Sequence, residues 1–205
     1  MKRLILILVL LLIGPSHADL EKCFSNPSAG VEYTAPPANC LFLSDPRALS
    51  QAMEGGQELL NIPAQVKPAL NRLGVQFYVY VRPAQGQRPS ANLNLLTEEL
   101  PAEIKSTAQY AKLSAPTLQQ VLPGFKQLPG PKNRAIGGKP FEGMEFEGQV
   151  RGETLRFRTY FCVDETRHLA YVITFTDAAV GASRSFSILE KALSGMRFGV
   201  TGGQG

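Results

Sequence analysis

The residues in this chain whose chemistry could reach beyond packing are few: one histidine, four hairpin carboxylates, three cysteines and one basic–aromatic strand. His168 is the only histidine outside the first eighteen residues. Nucleophilic catalysis through an imidazole needs a serine or cysteine held beside it, and no Gly-x-Ser-x-Gly elbow occurs. His168 therefore reads as a solvated turn residue. Glu142, Glu145, Glu147 and Glu153 gather around one hairpin, with Glu145 and Glu147 on the same face of a strand. A hard cation asks for six to eight oxygens, so these carboxylates read as a charged edge that discourages sheet-to-sheet pairing. No Cys-x-x-Cys or His-Glu-x-x-His spacing is present for zinc. Gly137-Gly138 lacks the Gly-Lys-Ser/Thr ending of a phosphate loop and precedes a strand, so it reads as a turn. Arg156, Arg158 and Tyr160 share one face of a strand, next to Arg151. They define a candidate contact surface, because Arg and Tyr are enriched where partners bind tightly; the other reading is a solvated face, or one covered by a helix over the Arg stems. The expectation is a protein with no catalytic residues, no cofactor and no metal, hence not an enzyme.

The start of the chain carries an address. Lys2 and Arg3 precede an unbroken aliphatic run from Leu4 to Ile13, Gly14-Pro15 breaks it, and Ser16-His17-Ala18 sets small residues at the two positions that a cleavage pocket requires. The run is well short of the ~20 residues that span a bilayer. Residues 1–18 are thus expected to be a signal peptide cut after Ala18, leaving a secreted or periplasmic protein with no membrane span. Asp19-Leu20-Glu21-Lys22 ahead of Cys23 does not fit the small-residue approach to a lipid-modified cysteine. An oxidising compartment permits disulfides. A Cys23–Cys40 bridge would contribute about 3 kcal/mol in the chain-entropy model; unbridged and alternatively paired forms remain open. Cys162, inside an apolar alternating run, reads as a small buried hydrophobe.

The elements that must position these residues follow from periodicity. Val31-Glu32-Tyr33 and Cys40 to Leu43 read as short strands. Residues 45–74 read as a helical hairpin opened by Asp45-Pro46 and closed by Gly74. Val75, Phe77, Val79 and Val81 alternate with Tyr78 and Tyr80, which predicts a strand, and Leu93-Asn94-Leu95 predicts another. Ala102 to Val121 has helical spacing, with Ile104, Ala108, Ala111, Leu118 and Val121 inward and a kink or restart at Pro116. Phe141 to Val150, Glu153 to Val163 and Leu169 to Thr176 form a meander, its first turn at Arg151-Gly152. Phe186, Leu189, Leu193 and Met196 mark a last helix, and Arg197-Phe198 a last short strand. Residues 199–205 read as a flexible tail. Short turns between strands imply an antiparallel sheet, and amphipathic helices must cover its faces. The fold class is α+β: one domain over 19–198, with an antiparallel β-sheet flanked by helices.

Composition limits the function. The 205 residues are 44% hydrophobic and 19% charged, as in an ordinary globular domain. Net charge is +4, and +2 without Lys2 and Arg3, too little for a nucleic-acid footprint. From Ser90 onward the chain resembles the PsbP/Mog-like superfamily, including the bacterial DcrB and LpqN types. The resemblance lies in Asn92-Leu93-Asn94-Leu95-Leu96, Leu100-Pro101, Tyr110-Ala111-Lys112-Leu113-Ser114 and Leu122-Pro123-Gly124-Phe125. It continues through Gly137-Gly138-Lys139-Pro140, Tyr160-Phe161-Cys162-Val163, Ala170-Tyr171-Val172-Ile173-Thr174-Phe175-Thr176 and Met196-Arg197-Phe198. It implies an α/β/α sandwich and a binding or accessory role, and it carries no site residues. The expectation is a secreted, non-catalytic module acting on a protein partner in the cell envelope. The alternative is a carrier or sensor of a lipid-like ligand held between the sheet and the 45–74 helices, with a hydrolase third.

Overall fold

The computed structural model describes residues 23–34, 36–45, 49, 73–82 and 91–199. The expected signal peptide, nearly all of the expected 45–74 helices and the tail after Gly199 lie outside the described residues.

The chain runs β1 (Cys23–Asn26), β2 (Val31–Thr34), β3 (Cys40–Leu43), β4 (Leu73–Val81), β5 (Asn92–Glu99), α1 (Thr107–Val121), β6 (Lys126–Leu128), β7 (Arg134–Ile136), β8 (Lys139–Val150), β9 (Glu153–Asp164), β10 (Leu169–Ala178), α2 (Ala182–Leu189), a 3-10 segment Glu190–Gly195, and β11 (Met196–Phe198). The main sheet has the order β3-β4-β5-β10-β9-β8-β6, with β7 pairing a separate stretch of β8; a small sheet has the order β1-β2-β11. Every pairing is antiparallel. The β8–β9 turn has positive φ at both Arg151 (51°) and Gly152 (79°), the mirror-image turn whose twist suits a two-residue hairpin.

Alternation along these strands divides the apolar residues between two cores. One face packs Leu155, Phe157 and Phe161 of β9 against Tyr110, Leu118 and Leu122 in and just after α1. The other face packs Phe77, Tyr171, Ile173 and Phe175 against Phe186 and Leu189 of α2 and Val31 and Tyr33 of the small sheet. Helices therefore cover both faces of an antiparallel sheet, the α+β architecture. Ser106 caps α1, its Oγ accepting from the backbone N–H of Gln109 at 3.2 Å.

Four local expectations change. Gly74 ends no helix: it lies in β4, where an added Cβ would sit 2.8 Å from Thr97 Oγ1. A register shift between Val75 and Phe77 bulges β4 at Gln76, so Val75 joins the face of Tyr78 and Tyr80 rather than that of Phe77. Helix α1 runs without a restart through Pro116; Leu118 is buried as expected, together with Tyr110, Ser114 and Thr117, while Ala108 is exposed. Strand β8 is no free edge, because β6 pairs with its Glu145–Glu147 stretch and β7 with its start.

Candidate functional site

Strand β9 sends Arg156, Arg158 and Tyr160 toward the face covered by α2, and β8 places Glu145 among them. Glu145 is only 3% exposed. It accepts from Arg156 Nε at 2.6 Å and from Arg158 Nε at 2.8 Å. Glu190, the first residue of the 3-10 segment, accepts from Arg158 Nη1 at 3.1 Å and from the Tyr160 hydroxyl at 3.0 Å, and pairs also with Arg134. The Arg158 guanidinium lies 5.1 Å from the Phe186 ring centre and the Arg134 guanidinium 5.9 Å from that of Tyr160. Burial, and then the Glu190 carboxylate, push the Tyr160 phenol up to about 12. Burial works against charge on Arg158, but the hydrogen bond and charge of Glu145 outweigh it and hold the guanidinium above its ordinary value.

The structure thus brings the three expected surface residues together, with a difference in what they offer. Tyr160 is buried, and Arg156 and Arg158 retain side-chain exposures of 29% and 23%. Of the four hairpin carboxylates, Glu145 is an internal ligand for arginine, Glu153 is exposed, and Glu142 and Glu147 are half-buried. Glu190 carried no sequence signal, since its partners lie 30 or more residues away.

A second arrangement sits where the two sheets meet. The β4 bulge turns Gln76 toward the small sheet, where its Oε1 accepts from Asn26 Nδ2 at 2.8 Å and its Nε2 donates to Thr97 Oγ1 at 2.9 Å. These residues line an open cleft of about 620 Å³ with Glu99, Arg167 and His168 at its rim. His168 is exposed in the β9–β10 turn with φ of 52°. Below it, Asp164 accepts from Lys139 Nζ at 2.9 Å and Arg167 Nη1 at 3.2 Å. Burial opposes ionisation of Asp164, yet hydrogen bonds and charge from Lys139 and Arg167 prevail and hold its carboxyl below the ordinary value. The cleft is polar; the apolar space expected beneath residues 45–74 lies outside the described residues.

Cys23, Cys40 and Cys162 are all unbridged; Cys23 is exposed in the small sheet, Cys40 and Cys162 are buried in the main sheet. Burial pushes both buried thiols up to about 11, leaving them protonated and unreactive at neutral pH. Among the described residues no three His, Cys, Asp or Glu side chains converge as a metal site would require, and no helix is long and apolar enough to cross a membrane.

The described residues form an antiparallel sheet with helices on both faces. No family model and no curated protein matches the sequence. Among solved structures, the chain is similar to cyanobacterial PsbP (CyanoP) from Synechocystis sp. PCC 6803, at 12% identity and TM-score 0.51 over 86% of this chain and 91% of that one. It is similar also to LpqN of Mycobacterium tuberculosis, a protein involved in cell envelope biogenesis, at 11% identity and TM-score 0.46 over 62% of this chain and 78% of that one. A Pseudomonas aeruginosa protein of unknown function, PA94, is similar at 16% identity and TM-score 0.49 over 60% and 79%. At these identities the likeness shows the fold alone, one similar to that of CyanoP.

Proposed function

We propose that the protein is a secreted, non-catalytic binding module that engages a protein partner in the cell envelope through the Arg156–Arg158 edge. The observation that supports this reading is the double clamp on Arg158, whose guanidinium reaches Glu145 and Glu190 at once while staying 23% exposed. A free surface arginine loses rotamer entropy when it binds. One already fixed by two carboxylates and an aromatic ring has little left to lose, so its open edge is preorganised for a carboxylate or carbonyl on a partner. His168 and the buried thiols offer no comparable arrangement for covalent or acid–base chemistry.

The test is quantitative cross-linking of the mature protein in its own envelope fraction, comparing wild type with an Arg156→Lys/Arg158→Lys double variant. Lysine keeps the charge that Glu145 needs but loses the planar fork. At least a tenfold fall in the cross-linked partner, with thermal stability held near wild type, is the expected result. Undiminished recovery excludes this surface.

A further inference from the structure

The bulge in β4 interrupts its pairing with β5 and re-aims one side chain, Gln76. Gln76 is 7% exposed and has both amide hydrogens placed: Nε2 donates to Thr97 Oγ1 at 2.9 Å and to the Gly74 carbonyl at 3.2 Å. The Thr97 hydroxyl donates to the same carbonyl at 3.2 Å. With those hydrogens committed, what Gln76 Oε1 and Thr97 Oγ1 still offer to the cleft they line is acceptor capacity. Gly74 adds no side chain beside them; a Cβ there would stand 2.8 Å from Thr97 Oγ1 and 3.2 Å from Gln76 Nε2. Two residues past Thr97, on the same face of β5, comes Glu99. It is exposed, and it makes no ion pair among the described residues.

The turns that complete the lining have the opposite character. The Arg167 guanidinium lies over the β1–β2 turn, where a Cβ on Gly30 would sit 2.7 Å from it, and its Nη1 donates to Asp164 rather than to Glu99. A guanidinium has more donors than one carboxylate oxygen can take. His168 beside it is pinned through its backbone: its N–H donates to the Glu165 carbonyl at 3.3 Å and its carbonyl accepts from Leu100 N–H at 2.8 Å. The imidazole is left exposed at the cleft, on a residue with φ of 52°. Acceptors and a carboxylate thus come from β4 and β5, and cationic and N–H groups from the turns. The cleft of about 620 Å³ that they share lies within the size range of small-molecule sites.

We infer that this cleft binds a small zwitterion of the amino-acid class, its ammonium toward Glu99 and the Gln76 and Thr97 oxygens and its carboxylate toward Arg167 and His168. An ammonium only donates, which suits a wall of acceptors, and a carboxylate only accepts, which suits a guanidinium. A simple anion would meet Glu99, and a simple cation would meet Arg167. A molecule that carries both charges avoids both penalties. The Asn26–Gln76–Thr97 chain of hydrogen bonds fixes the floor in advance, so little freedom is lost there on binding. The cleft lies past the end of β9, whereas Arg156 and Arg158 stand near its start, so the site does not depend on the partner proposed there.

The experiment is saturation-transfer NMR and calorimetry on the mature protein with L-alanine, L-glutamine and L-alanyl-L-alanine as probes. N-acetyl-L-alanine, which lacks the ammonium, and L-alaninamide, which lacks the carboxylate, are the controls. Saturable binding of at least one zwitterion is expected, with both controls at least tenfold weaker. Glu99→Gln, a change at an exposed side chain, should weaken binding at least tenfold. His168→Gly should weaken it severalfold, since glycine accepts the positive φ and the variant loses only the imidazole. The Arg156→Lys/Arg158→Lys variant should bind as the wild type does. The site is overturned if no zwitterion saturates, if either control binds as tightly as the zwitterions, or if binding survives both Glu99→Gln and His168→Gly.

Discussion

The two faces of the main sheet handle buried polarity in opposite ways. On the α2 face, carboxylates and cations are matched: Glu145 holds Arg156 and Arg158, Glu190 holds Arg158, Arg134 and Tyr160, and Asp164 holds Lys139 and Arg167. Among the described residues the Tyr33 hydroxyl is the exception there. On the α1 face, the Asn92–Asn94 patch is neutral and has no hydrogen-bond partner among the described residues. Paired charges in a low-dielectric setting rigidify what they join, while unsatisfied neutral groups are a standing demand for hydrogen bonds. The difference teaches that the charged face is held by ion pairs, whereas the neutral patch is held by its packing and sheet register.

The largest expected effect tests the charged face. Glu145→Ala removes the shared carboxylate of two arginines, and should destabilise the protein by about 2–3 kcal/mol, below the range for a fully buried pair because both guanidiniums keep some solvent. Urea unfolding measures it, and a loss under ~0.5 kcal/mol would mean that the network contributes little. Next, Tyr110→Phe should cost about 1.5–2 kcal/mol by taking a hydrogen bond from the buried Glu98 carboxylate. That result would separate the satisfied end of β5 from the unsatisfied one. Acid acts on Asp164. Its carboxyl lies below the ordinary 3.8 in the fold, so its pairing stabilises fully above that value and is lost as pH falls through the depressed one. Thermal unfolding from pH 6 down to pH 2 should show a decline that flattens in Asp164→Asn. The smallest effect has the opposite sign: Asn94→Leu should leave stability unchanged or raise it by up to about 1 kcal/mol, because an unsatisfied amide gives way to an apolar group of similar size. A loss above ~2 kcal/mol would show that the amide is satisfied after all, and would equalise the two faces.

Much of the architecture was legible because it rests on local periodicity. The β8–β9–β10 meander, the Arg151-Gly152 turn, the last helix and the closing strand follow from alternation and turn chemistry. So does the assignment of Leu155, Phe157 and Phe161 to one face and Tyr160 and Cys162 to the other. Errors fell where tertiary contacts override a local pattern. The bulge at Gln76 moved Val75 across the sheet, and it exists because Gln76 bonds to Asn26, fifty residues away. Tyr110 rather than Ala108 turns inward on the first part of α1 because Glu98 and Phe161 receive its hydroxyl and ring.

The site was less legible than the fold. Arg156, Arg158 and Tyr160 could be grouped by alternation, but not Glu190, which meets Arg158 and Tyr160 from 30 or more residues away. Asn92 and Asn94 were visible as part of a family-like motif, and their two-residue spacing placed them on one face. That no described residue partners them depends on what stands opposite on β4 and β10.

The sequence by itself determined an antiparallel α+β fold and which side chains share a strand face, because periodicity is a property of neighbouring residues. Only the tertiary structure decided which of those side chains are paired and which are left unsatisfied. Hydrogen bonds and ion pairs here join residues tens of positions apart, and no local pattern encodes a partner at that distance.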